Sequence, residues 1–121
     1  MNKIMASIKS FTDISQSKKL AEILPLESAD YHYIAQGEKS YFYPYSLSSD
    51  AVKDYDEEIK YIPCWSLTAL LKVMPFWYDI HPVKNGVAIK CDYGKEKIVI
   101  SDNHIDACVE MIIKLHELNL L

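Results

Sequence analysis

Arginine is missing from this chain: all thirteen basic residues are lysines. Arginine's planar fork grips phosphate, carboxylate and guanine edges at two points at once, and lysine, a point charge, does not reproduce that geometry. Sequence-specific reading of nucleic acid and arginine-assisted phosphoryl transfer are thereby disfavoured. Glycine is scarce as well, with three in 121 residues, which leaves little material for a phosphate-cradling loop. Neither a nucleophile elbow nor a paired metal-ligand spacing occurs. Apolar runs stay short of the ~20 residues that cross a bilayer. The start, Met1 to Lys9, lacks a secretory apolar region, so a cytoplasmic protein with no membrane partner is expected. The three cysteines, Cys64, Cys91 and Cys108, include no close pair, a pattern of reduced thiols rather than of a disulfide framework.

Half the residues are apolar and a quarter are charged, a composition that suits one core in a single domain spanning 1–121. The net charge is −4. Acidic residues gather at Asp50, Asp54, Asp56, Glu57 and Glu58, but Lys53 and Lys60 interrupt them. A solvated face is expected there; an acidic nucleic-acid mimic is the least favoured function, and no nucleic-acid partner is expected.

Ile62 to Pro75 is apolar on nearly every side and bracketed by prolines. This pattern predicts a central buried helix over 65–74. Pro63 lies just outside it and Pro75 ends it, since proline lacks the amide hydrogen and disfavours helical geometry at Met74. Leu67, Leu70, Leu71 and Met74 form the stripe, with Trp65, Ala69 and Val73 widening it. An earlier helix runs from a cap at Thr12 or Asp13 to Leu24, with Ile14, Ser17, Leu20, Ala21 and Leu24 on one side and Pro25 as its stop. Residues 30–35 and 40–47 read as an aromatic hairpin. Tyr41, Tyr43 and Tyr45 alternate onto one face, and Pro44 points to an edge strand. Residues 48–61 admit either a short helix capped by Ser49 or a loop leading into an extended Ile59–Ile62. Three strands follow, 76–81, 87–93 and 97–101, with Asn85-Gly86 as a turn whose central residues need positive φ. Val87, Ile89, Cys91 and Tyr93 share one face of this meander. A last helix, capped by Ser101 or Asp102, carries Ile105, Cys108, Val109, Ile112, Ile113 and Leu115 across it. The fold class is α+β: about three helices on an antiparallel sheet of about five strands.

Candidate chemistry is thin. His104 and Cys108, four apart on a helix, could supply two metal ligands, but no third is provided by spacing, and no cofactor or metal is expected. Cys64 at the start of the central helix would gain from the helix dipole, with His81 as a base, which makes a small cysteine- or metal-dependent enzyme the alternative function. His116 falls in the apolar sector of its helix, where a core or interface histidine is expected. Nine tyrosines, two tryptophans and three phenylalanines remain to be explained. Tyrosine and tryptophan provide stiff contact area with a polar tip, so Tyr41, Tyr43, Tyr45, Trp65 and Trp77 are the interface candidates.

At Leu20-Ala-Glu-Ile-Leu-Pro-Leu-Glu-Ser-Ala-Asp, Ile62-Pro-Cys-Trp-Ser-Leu-Thr-Ala-Leu-Leu and Ile105-Asp-Ala-Cys-Val-Glu-Met-Ile-Ile-Lys-Leu-His-Glu the chain resembles a family of short bacterial proteins. Its members come from gut anaerobes and are often labelled phage-related or mobile-element proteins. The resemblance spans beginning, middle and end, and implies a bacterial cytoplasmic origin and one shared fold. The family carries no assigned activity, so the resemblance assigns no catalytic or binding residue. The function expected is that of a non-enzymatic accessory protein acting on a protein partner or on itself.

Overall fold

The computed structural model describes residues 9–36, 39–40, 44, 59–75, 77–92 and 96–121. Its first helix, α1 (Ile14–Ala21), is opened by Asp13. The Asp13 carboxylate accepts the Gln16 N–H at 2.7 Å while the Gln16 side chain accepts the Asp13 N–H at 3.1 Å, a reciprocal capping box. Leu20 and Ser17 turn inward, and Lys18 and Lys19 stand in the last turn, where they meet the negative end of the helix dipole. Pro25 leads into a single 3-10 turn, Leu26–Ser28.

Strand β1 (Tyr31–Gln36) pairs with β2 (Lys39–Ser40) and with β3 (Ile59–Cys64) in a sheet of order β2-β1-β3. The expected hairpin closes through Gln36↔Lys39 and Ala35↔Ser40. Beyond Ser40, Tyr41, Tyr43 and Tyr45 lie outside the described residues, and Pro44 belongs to no strand. Most of the helix that Ser49 would cap is likewise outside them. Of the two readings of 48–61, the extended one holds at its end: β3 pairs with β1 from Gln36↔Ile59 to Tyr31↔Cys64.

That pairing shortens the central helix. Ile62, Pro63 and Cys64 belong to β3, so α2 is Leu67–Val73, and Ser66 rather than Pro63 opens it by accepting the Ala69 N–H. Pro63 is tolerated in β3 because, among the described residues, this strand lies at the edge of its sheet, where a missing N–H need not break a ladder. At the other end, helical residues stop at Val73, with Met74 as the C-cap just ahead of Pro75.

The meander forms as expected from β4 (Tyr78–Val83), β5 (Gly86–Asp92) and β6 (Glu96–Ser101), in that order. Its first turn is displaced by one residue. Val83 pairs with Gly86, so Lys84 and Asn85 are central, and Asn85 alone of the two is left-handed, at φ 66°. Gly86 is needed for another reason: a Cβ there would collide with the Ser101 carbonyl oxygen of β6. Helix α3 (His104–Glu117) is capped by Asn103, not by Ser101 or Asp102; the Asn103 side chain accepts the Asp106 N–H at 2.8 Å. It packs on β5, β6 and α2.

The class is therefore α+β, with three α-helices and antiparallel strands, which among the described residues fall into two three-stranded sheets instead of one. A single buried cluster joins Leu20, Trp65, Leu70, Ile89, Ile105, Met111, Ile112 and Leu115, so α1, α2, α3 and the inner face of the second sheet share one core.

Candidate functional site

Thr12 is completely buried and ties three segments together. Its N–H donates to the Trp65 carbonyl at 2.9 Å, and its hydroxyl oxygen accepts the Trp65 N–H at 3.1 Å. The same hydroxyl shares a 2.8 Å bond with Ser17 Oγ. The Thr12 carbonyl accepts the Tyr33 hydroxyl at 2.7 Å and the Cys64 thiol at 3.5 Å. Every buried polar side-chain atom among the described residues finds a partner in this way. The cluster is a seam between α1, β1 and β3, closed on both sides by hydrogen bonds.

Cys64 sits at the end of β3, inside that seam, and not at a helix N-terminus. Burial pushes its thiol up, against the opposing pull of bonds to Thr12, Tyr33 and Ser17. The expected lowering by α2 does not occur, because the charged thiolate would be stripped of water. His81 is on β4 of the other sheet, exposed, with Nδ1 3.0 Å from Asp79 Oδ2. The two residues do not form a nucleophile and base. Cys91 and Cys108 are also fully buried; burial, with Cys91 beside it, pushes Cys108 up to about 12. His104 is exposed at the first position of α3 while Cys108 faces the core, so the two do not share a site. Among the described residues no group of three His, Cys, Asp or Glu side chains could hold a metal ion. His116 is exposed, so of the two expected places, core or interface, the core is excluded.

A second polar knot ties the starts of α1 and α3. Lys9 Nζ lies 3.0 Å from Asp13 and 2.9 Å from Asp106. Gln16 donates to Asp106 at 2.8 Å, and Asn103 donates to Asp106 at 3.0 Å. Burial alone would raise the Asp106 carboxyl, but the bonds from Lys9, Gln16 and Asn103 outweigh it and hold the group below its usual range. Both oxygens of the Asp106 carboxylate accept hydrogen bonds from within the chain, which suits a fastener rather than a binding site.

The interface candidates separate sharply. Trp65 is 0% exposed and its indole N–H donates to Ser28 Oγ, so it is a core residue and has no surface to offer. Its position just before α2, between the β3 strand and the Ser66 cap, turns it inward. Trp77, immediately ahead of β4, is 70% exposed. Sequence reasoning missed the residues on the same sheet that matter with it. Directly opposed residues of antiparallel strands project to the same side, so Ile80, Ile89 and Val99 form an inner row against α3. The outer face carries the rows Asp79, Lys90, Ile98 and His81, Ala88, Ile100. Ile98 and Ile100 are 49% and 65% exposed there. In Lys97-Ile-Val-Ile-Ser the three successive apolar residues fit either face, which hid the outward pair.

No family model, no curated protein and no solved structure matches the chain. No helix among the described residues is long and apolar enough to cross a membrane.

Proposed function

We propose that this chain is a non-enzymatic accessory protein that works by binding protein, its own copies included, through the outer face of the second sheet and the β6 edge, which no strand covers among the described residues. The observation that carries the reading is the exposed pair Ile98 and Ile100 on a strand that is terminal among the described residues; the exposed Trp77 lies outside the sheet, just ahead of β4. Exposed apolar side chains gathered on one regular surface, with charged neighbours, are the usual mark of a contact site. The cysteines, by contrast, are sealed in the core, and the polar clusters are satisfied internally. The resemblance to short phage-related bacterial proteins supplies no chemistry that competes with this reading.

The test is affinity capture from the native cells with the wild-type chain and with the Ile98→Lys, Ile100→Lys double variant. Proteins retained by the wild type, whether other chains or untagged copies of this one, should be lost with the variant while its circular dichroism is unchanged. An identical set retained by both would contradict the reading.

A further inference from the structure

The second sheet ends in two different edges. β4 carries Pro82, which withholds a donor, and places Asp79 and His81 on its outer face. Both are devices that discourage another strand from adding on. β6 has neither proline nor glycine, and among the described residues no strand pairs with its outer edge. Among the described residues its backbone groups on that side have no strand partner, and two exposed isoleucines flank them.

We propose that a second copy of the chain fills this edge, β6 against β6, in an antiparallel two-fold pairing centred on Val99. This rests on the reading of the second sheet as a binding surface and names its occupant. The strand is self-complementary. Because opposed residues must share a face, a two-fold pairing has to bring some residue opposite its own copy. Centred on Lys97, it opposes two ammonium groups. Centred on Ile98, it sets Glu96 against Ile100 and Lys97 against Val99. Centred on Ile100, it sets Ile98 against Asp102. Centred on Val99, it matches Val99 with itself, Ile98 with Ile100 of the second copy in both directions, and Lys97 with Ser101. Only this register pairs every apolar residue of β6 with another, and both isoleucine pairs fall on the exposed outer face. The two three-stranded sheets become one continuous sheet, with α3 of each copy on the same side. The one unfavourable contact is Glu96 facing Asp102 at each end, and each copy carries a net −4. Salt therefore strengthens this association, whereas it would weaken one built on opposite charges.

Sedimentation of the full 121-residue chain over a range of concentrations, at low and high salt, tests the pairing. The wild type should pass from monomer to dimer as concentration rises, at lower concentration in high salt. Ile100→Lys should remain monomeric with an unchanged far-ultraviolet spectrum. The register is read separately: an equal mixture of Ile98→Cys and Ile100→Cys chains, oxidised with copper phenanthroline, should cross-link in higher yield than either chain alone. A wild type monomeric throughout, a folded Ile100→Lys that still dimerises, or an Ile98→Cys chain that cross-links to itself as well as the mixture does would each overturn the proposal. A monomeric wild type whose captured proteins are still lost with the double lysine variant would overturn the second copy as occupant while leaving the binding surface intact.

Discussion

Thr12 shows how much of this fold hangs on single polar atoms. Its hydroxyl and both backbone groups are committed to Trp65, Ser17, Tyr33 and Cys64, all in a place without water. Thr12→Ala should cost about 1–3 kcal/mol, because the Trp65 N–H is left buried without its hydroxyl partner and Ser17 loses its bond to Thr12; urea unfolding measures it. A Thr12→Ala protein as stable as wild type would mean that the seam is decorative. The cysteines give a second test. With thiols held neutral by burial, they should resist iodoacetamide in the native state and react only on unfolding. For Cys108 the folded value is raised, from 9.0 to about 12. Its contribution is thus complete below the ordinary thiol range and is lost as pH climbs toward 12. Stability measured from neutral pH upward should fall in that window, and Cys108→Ala should reduce the fall. Trp65 and the leucines were legible in the sequence as apolar positions in a periodic run. The partner of Thr12 was not, since the contact joins residues more than fifty positions apart.

Elements were legible where the signal is local. The second helix ends at Val73, ahead of Pro75, because a proline acts on its own neighbourhood, whereas α1 ends at Ala21, three residues short of the expected Leu24, and a turn fills the gap to Pro25. The meander was visible from short strands with turn residues between them. The pairing of β1 with β3 was not, because a strand's partner depends on closing a long loop rather than on its own pattern. That missed pairing is the reason the central helix was drawn two residues too early and Cys64 was credited with a helix terminus. Two substitutions probe the elements directly. Asn103→Ala should destabilise by about 0.5–2 kcal/mol through loss of the α3 cap, and also loosen Asp106, which Asn103 contacts. Gly86→Ala should destabilise without any left-handed backbone being involved, because its methyl group meets the Ser101 carbonyl. If Gly86→Ala unfolded at the wild-type midpoint, β5 and β6 would have to be farther apart than described.

At the scale of the whole molecule, one core holds the helices to the second sheet and a polar knot ties the starts of α1 and α3 to each other. Asp106 is central to the knot, and its lowered carboxyl contributes to the acid behaviour. Stabilisation from a lowered group is present above the ordinary carboxylate range and is lost as pH falls through the folded value. Thermal stability should therefore decline at acid pH below the usual value of 3.8, and Asp106→Asn should flatten that decline. α3 was legible across 103–119 because its apolar residues recur at helical spacing. Its inward side proved wider than expected, with Ala107 and Met111 fully buried beside the predicted residues. What the core leaves outside is the outer face of the second sheet. The central claim is that this face is a contact surface, and a photo-reactive phenylalanine analogue placed at Ile98, with a second at Lys19 on the exposed side of α1, tests it most directly. After irradiation in the native cell, the account predicts protein adducts from position 98 and none from position 19. Equal labelling at both positions, or none at 98, would contradict it.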